Sequence, residues 1–514
     1  MNGARSLVET LIASGVDTCF ANPGTSEMHF VAALDQSAGI RCVLGLQENV
    51  VTGMADGYWR IAGKPACTLL HCGPGLGNGV TNLHNARRAR SGIVNIVGDQ
   101  ATYHRPFDPP LTADTEGLAR TVSAWVHVST QAAQVGRDAA AAVQAARTYP
   151  GQVATLVLPA DASWNEGGVV AAALPVPEPA PLDPHAVERA ARVLRVHGGK
   201  VLLLLAGAAV QAEGQALAWR IASATGAKLM ADFVNPKLAR GRGRLQLERV
   251  PYKSELAIEA LKPFDHLVLV NAKAPVGFFA YPNLPSIQYR SDAQVHVLSR
   301  PEQDAVEALR ALADALDAPE AALPDPGPRP QAASGEPTSD KLAQTVAALM
   351  PEHAIVSDES VSYGRGFYKA SHAAPPHDWL HLAGGAIGDG MPVATGAAIA
   401  AGGQRRVISL QADGSAMYTL QSLWTQARER LPVTTIVLNN RSYKILLGEY
   451  QGVGATPGPT AHRMLDLADP DLDWVRLAQG TGVDAARATS MDQCADLMRA
   501  SFVRSGPFLI ELMV

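Results

Sequence analysis

Aromatic residues make up only 5% of the 514 positions and charged residues only 18%. With 47% hydrophobic residues, so lightly charged a chain is not disordered. The formal net charge of -5 argues against a broad nucleic-acid surface, while leaving room for a local anionic-ligand site. Cysteine is scarce. Cys19, Cys42, Cys67, Cys72 and Cys494 show no CxxC spacing, and several lie in apolar strand-like runs. No disulfide framework is expected, and a reducing, cytoplasmic setting is. Nothing matches the GxxxxGK[ST] phosphate loop, and no convincing GxGxxG supports a nicotinamide dehydrogenase. Long apolar runs are also missing. The smoothest, Met391 to Ala401, is too short and too rich in glycine to span a membrane. The opening MNGARSLVETLIASGV carries acidic and polar residues in an amphipathic helix pattern, so it does not read as a signal peptide. The most basic short run, Ala86 to Arg90, fits a solvated helix end, or a contact with another subunit or an anionic substrate.

What is present is a repeating alternation of short apolar strands and helical stretches. The length exceeds what one core usually serves, and 46 glycines with 35 prolines supply many tight turns. Residues 1–165 contain the strand candidates DTCFA, RCVLG, ACTLLH, IVNIVG and ATLVLP, with helical stretches such as Glu48 to Ala62 between them. A Pro-rich connector, Ala172 to Pro184, leads to a central unit over 186–317 with VLLLLAG, KLMADF, HLVLVN and VHVLSR. A second connector, Ala318 to Pro337, precedes 338–514, where AIVSDES, WLHL, VISLQA, TTIVLN and PFLIELM are the strands. The expected fold class is α/β, with three doubly wound parallel-sheet domains.

One stretch carries the chemistry: RRVISLQADGSAMYTLQSLWTQARERLPVTTIVLNNRSY, Arg405 to Tyr443. The first strand ends at Asp413 and the second at Asn439 and Asn440. Ligands of open α/β sheets bind outside the carboxyl ends of strands. If the two strands are neighbours, Asp413 and Asn440 converge there. A carboxylate with neutral oxygens suits Mg²⁺ far better than Zn²⁺, and Mg²⁺ usually adds phosphate oxygens. The helix start after Asp413 offers N–H groups to such a phosphate. Asp and Asn at these places are also ordinary turn residues.

The stretch resembles the GDG…NN diphosphate-binding signature of thiamine diphosphate enzymes, with ADG replacing GDG. Nearly the whole chain is similar to the 2-oxo acid decarboxylase and acetolactate synthase superfamily, in the order pyrimidine-binding, central and diphosphate-binding domain. The look is nearest to benzoylformate decarboxylase and acetolactate-synthase-like proteins. The resemblance implies Mg²⁺ ligation by Asp413, Asn440 and the main-chain oxygen of Ser442, with Ser362, Gly414 and Ser415 near the diphosphate. It makes Glu48, in GLQENVVTGMADGYWR, the carboxyl that hydrogen-bonds N1′ of the cofactor pyrimidine; on its own Glu48 fits helix-terminal stabilisation. His71, in LLHCGPGLGNG, is implied as a proton relay near neutral pH, and on its own fits a loop histidine. A glycine-rich loop is expected after it, ordered by Asn78. Thr25, in ANPGTSEMHF, stands where the family has an active-site serine; His29 reads as a partly exposed helix residue. Gly385 and Ile387, in AGGAIGDGMP, match the acceptor for the cofactor 4′-amino group and the wedge beneath the folded cofactor.

Departures narrow the activity. Ala280 stands where benzoylformate decarboxylase carries a second histidine, and Phe278, Phe279 and Tyr281 nearby fit either a pocket lining or packing. FAD is expected to be absent, since LLLLAGAAV is only a strand and turn. The expectation is a thiamine diphosphate- and Mg²⁺-dependent decarboxylase and/or carboligase of 2-oxo acids. Active sites are expected at the subunit interfaces of a dimer or tetramer. The alternatives are a 2-hydroxyacyl-CoA or oxalyl-CoA type of lyase and a cofactor-binding homologue without turnover.

Overall fold

The computed structural model describes residues 1–514, the side chain of Arg365 excepted. Strands that lie inside a sheet covered on both faces read as unbroken apolar runs, and these runs form the three sheets. The first sheet contains β1 (Thr18–Ala21), β2 (Arg41–Leu44), β3 (Ala66–Leu70), β4 (Ile93–Asp99), β5 (Trp125–Val128) and β6 (Val153–Pro159). They lie parallel in the order β2-β1-β3-β4-β6-β5. In the central region come β7 (Val201–Leu205), β8 (Lys228–Ala231), β9 (Lys237–Arg240), β10 (His266–Val270) and β11 (Gln294–Ser299). Four of them make a parallel sheet, β11-β10-β7-β8. The third sheet contains β12 (Ile355–Glu359), β13 (His377–His381), β14 (Val407–Ala412), β15 (Val433–Asn439), β16 (Asp484–Ala488) and β17 (Phe508–Met513), in the order β16-β17-β15-β14-β12-β13-β9.

The order shows a repeat. Leaving β9 aside, in every sheet the first strand is flanked by the second and the third, so the direction of winding reverses there. The first and third sheets continue alike, with the fifth strand on the outer edge beyond the sixth. Sites of such open sheets sit at the carboxyl ends beside the reversal.

β9 departs from the expected separation of domains. It arises within the central region but pairs antiparallel with β13, Lys237 opposite Leu380 and Arg240 opposite His377. The third sheet is therefore parallel only up to its β13 edge. β5, β9 and β16 had no counterpart among the expected strands. All three are edge strands with mixed exposure.

Three helices position the site: α1 (Glu48–Ala62), α2 (Cys72–Ala89) and α3 (Gly390–Ala400). α1 packs on α3 so closely that a Cβ on Gly57 would collide with the Val393 carbonyl, and one on Gly396 with that of Met54. Around this contact one apolar core runs from Phe20, Leu70 and Val97 of the first sheet to Ile355, Val407 and Val433 of the third. Charge crosses the same seam. The buried Arg60 guanidinium pairs with Asp56, lies 3.6 Å from Asp389, and donates to the His381 carbonyl at 2.8 Å. Among the described residues no helix is long and apolar enough to cross a membrane.

Candidate active site

β14 and β15 are parallel neighbours with Ala412 opposite Leu438, which brings the residues just beyond them together. Asp413 is 1% exposed. Its carboxylate accepts from the N–H of Gly414 at 2.9 Å and of Arg441 at 2.6 Å. Asn440 accepts from the Ser442 N–H at 3.0 Å, so Asp413, Asn440 and Ser442 share one turn. The two asparagines divide their work. Asn439 is buried and donates to Glu511 of β17 at 2.7 Å, a structural bond, while Asn440 is only half-buried. Burial pushes the Asp413 carboxyl above the ordinary range and backbone N–H groups pull against it. Among the described residues no cationic side chain pairs with Asp413. A buried carboxylate answered only by amides is the donor set a hard divalent cation completes.

Gly414 and Ser415 begin the short helical turn after β14, where Ser415 donates to the Ala412 carbonyl at 3.1 Å. Ser362 is half-buried in the turn after β12. Gly385, with a φ of 80°, and the half-buried Ile387 lie in the loop joining β13 to α3. Two sides hold that loop. The buried Glu359 carboxylate at the end of β12 accepts from the N–H of Gly388 at 2.5 Å and of Gly390 at 2.6 Å, and burial raises its carboxyl to about 7. From α2, Asn85 donates to the Ala386 carbonyl at 2.8 Å and Asn82 to that of Gly388 at 3.0 Å. Neither Glu359 nor these two asparagines stood out in the sequence, because their partners lie tens to hundreds of positions away.

Glu48 is the first residue of α1 and 9% exposed. The Gln47 side chain caps the helix by accepting from Asn49 and Val50 N–H, and Asn78 donates to Glu48 Oε2 at 3.0 Å. The expected glycine-rich loop after His71 is instead the start of α2, an 18-residue helix, so Asn78 is a helical residue that holds Glu48. The correction has a packing cause. Helical glycines cost propensity, but here they bring α2 close to its neighbours: a Cβ on Gly75 would crowd Glu48, and one on Gly79 would crowd Thr52.

His71 precedes α2, and its Nδ1 lies 3.0 Å from Glu27 Oε2. Thr25 is exposed in the 3-10 turn Thr25–Glu27, and His29 is exposed beside Trp164. Ala280 is exposed. Phe278 packs against Phe279, Tyr252 and Phe233, and a Cβ on Gly385 would meet its ring. Tyr281 donates to Glu449 at 2.5 Å. These aromatics therefore pack together and also border the Gly385 loop. Arg87, Arg88 and Arg90 line a cavity of about 650 Å³ between the first and central regions, facing Asp232 and Lys273. Arg87 and Arg88 are exposed in the last turn of α2, as a solvated helix end would have them.

Two similarly wound parallel sheets, one with a carboxyl at a helix head and the other with a buried carboxylate turn at a strand end, make this a protein of the α/β class with its candidate ligand site at the carboxyl ends of the strands. A family model described as "Thiamine pyrophosphate enzyme, N-terminal TPP binding domain" matches residues 1–122. Another, "Thiamine pyrophosphate enzyme, C-terminal TPP binding domain", matches residues 363–512. The chain is 50% identical to "Putative acetolactate synthase large subunit IlvX" of Mycobacterium tuberculosis, covering 100% of this chain and 99% of that protein. It is 30% identical to benzoylformate decarboxylase of Pseudomonas aeruginosa, covering 98% and 97%. The solved structure of the thiamine diphosphate-dependent 4-hydroxybenzoylformate decarboxylase of Rhodococcus jostii RHA1 superposes with a TM-score of 0.85 at 25% identity, covering 99% and 98%. The chain belongs to the thiamine pyrophosphate enzyme family.

Proposed function

We propose that this chain is a thiamine diphosphate- and Mg²⁺-dependent enzyme that decarboxylates 2-oxo acids, couples the product to a second carbonyl, or does both. The observation that carries the reading is the Asp413 turn: a buried carboxylate at a strand end, with Asn440 and Ser442 beside it and, among the described residues, no cationic side chain paired with it. These residues would hold Mg²⁺, with the Gly414–Ser415 turn and Ser362 near the diphosphate. Gly385 and Ile387 would orient the ring system, which is positioning rather than chemistry. When bound, thiamine diphosphate supplies an electron sink for the pair left as carbon dioxide departs from a 2-oxo acid. Glu48, screened from water at the head of α1, holds and returns a proton at the cofactor pyrimidine. His71 moves a proton to or from the substrate-derived oxygen or carbon. Thr25 offers a hydroxyl to the substrate carboxylate.

Every partner of Glu48 named above lies in the first domain and every partner of Asp413 in the third. The family resemblance implies that Glu48 of one protomer faces Asp413 of the partner subunit in a dimer or tetramer. Intact-mass spectrometry of the undenatured, cofactor-supplemented protein tests the first step. The expected result is one thiamine diphosphate per chain, lost with a chelator and weakened in Asp413→Asn. A panel of pyruvate, benzoylformate and longer 2-oxo acids, read for carbon dioxide and 2-hydroxy ketones, tests the second. Glu48→Gln should keep the fold and lose turnover by about 10²-fold or more. Uptake of no cofactor, or an unchanged rate in Glu48→Gln, defeats the reading. Turnover confined to acyl-CoA substrates favours the lyase alternative, and binding without any turnover the inactive homologue.

A further inference from the structure

We infer that Glu27 is a positioning residue for His71, holding the imidazole proton on Nδ1 and leaving Nε2 as the nitrogen that exchanges protons with substrate. The inference rests on the role given to His71 above. Glu27 ends a 3-10 turn directly before a helix, and its side chain is 1% exposed. So deep a carboxylate needs donors. It has three kinds. The Gly24 N–H donates to Oε2 at 2.7 Å, the Ser26 hydroxyl donates to Oε1, and His71 Nδ1 lies 3.0 Å from Oε2 and 3.1 Å from Oε1.

The direction of the histidine bond follows from that set. An ionised carboxylate only accepts, so the proton between it and the ring sits on Nδ1. Neutral imidazole carries one proton, and Nε2 is then the acceptor. Among the described residues Nδ1 has Glu27 and Ser26 Oγ, the latter at 3.2 Å, as neighbours, whereas no protein partner is found for Nε2, and the side chain is 22% exposed.

The surroundings are shaped for this pair. A Cβ on Gly98, at the end of β4, would collide with the Glu27 carboxylate. A Cβ on Gly24 would collide with the His71 ring. The backbone thus approaches both partners closely and leaves each little room to move. Arg105 does not compete for Glu27, because it pairs with Asp99 at 3.0 Å. A histidine whose other nitrogen is tied to a carboxylate is held in one tautomer and orientation.

The test uses full-length protein labelled with ¹⁵N-histidine, with the His71 signals assigned by their loss in His71→Ala. In the neutral ring the expected signature is protonated Nδ1 and bare Nε2. Glu27→Gln removes the charge that selects this form, so the Nε2–H form should become populated. In turnover, kcat should fall by about tenfold or more with KM within about threefold, and Glu27→Asp should recover part of it. A wild-type ring already protonated on Nε2, or a Glu27→Gln spectrum identical to wild type, overturns the inference. The spectrum needs no substrate, so it is read even if His71→Ala retains full turnover, an outcome that would remove the role of His71 and not the pairing.

Discussion

Replacing Arg60 with alanine is the change whose cost is best defined by the structure. Arg60 is 2% exposed in its side chain, and it sits where all three regions meet. It pairs with Asp56, faces Asp389 at 3.6 Å, and donates to the carbonyls of His381 at 2.8 Å and Pro236 at 3.4 Å. After the change Asp56 keeps the Ser91 hydroxyl. Asp389, whose Oδ1 lacks a hydrogen-bond partner among the described residues, loses the Arg60 charge that opposes its burial. Breaking a buried pair from one side costs about 3–5 kcal/mol. Spread over the unfolding entropy of a 514-residue chain, that is about 3–5 °C in melting temperature. The loss also acquires a pH dependence. Burial holds the Asp389 carboxyl well above its ordinary range, and Arg60 is the cation that pulls it down. The native state already binds that proton more tightly than the unfolded chain, and without Arg60 it does so still more, so stability falls more steeply as pH rises. Calorimetry at a fixed scan rate should show a larger loss at about pH 8 than at about pH 5.5. Arg60→Lys, which keeps the charge without the fork, should lose less at both. An equal loss at both pH values, or none, refutes the assignment of cost to an unpaired carboxylate.

Two more outcomes follow from packing and burial. Gly57→Ala gains helix propensity yet drives a methyl into the Val393 carbonyl, which is backbone and cannot swing aside; a net loss of about 1–3 kcal/mol is expected in denaturant melts, and a stabilised variant would refute it. His377 donates from Nδ1 to the Pro375 carbonyl at 2.7 Å, while its buried Nε2 has no partner, and burial holds the ring down at about 4. The neutral ring therefore contributes stability that is complete above about pH 6.5 and lost as pH falls toward about 4, roughly 3 kcal/mol in all. His377→Asn should flatten the acid side of a melting-temperature profile, and an unchanged acid side would refute the claim.

Sequence legibility followed burial. The interior strands β3, β4, β7, β10, β14 and β15 are covered on both faces, so their apolar runs announced them. WVHV and DAARA are edge strands open to solvent, where the apolar pattern disappears, while KLAR is an edge strand that is mostly buried but carries Lys237 and Arg240 in place of an apolar run. The Asp413 turn was visible because strand-end position is a local property. Glu27 was not, since its meaning comes from His71, 44 positions on. The glycines after His71 suggested a loop because local propensity cannot report the neighbours that crowd a helix.

β9 changes what the central region is. Two composition-marked connectors suggest a module that could be lifted out, but this strand is stitched onto β13 in another sheet. A chain shortened by deleting 186–317 would bare the backbone of β13 to solvent, an invitation to edge-to-edge aggregation. Gene fusions and domain exchanges within this architecture should therefore carry the Lys237–Arg240 segment along with the sheet it borders.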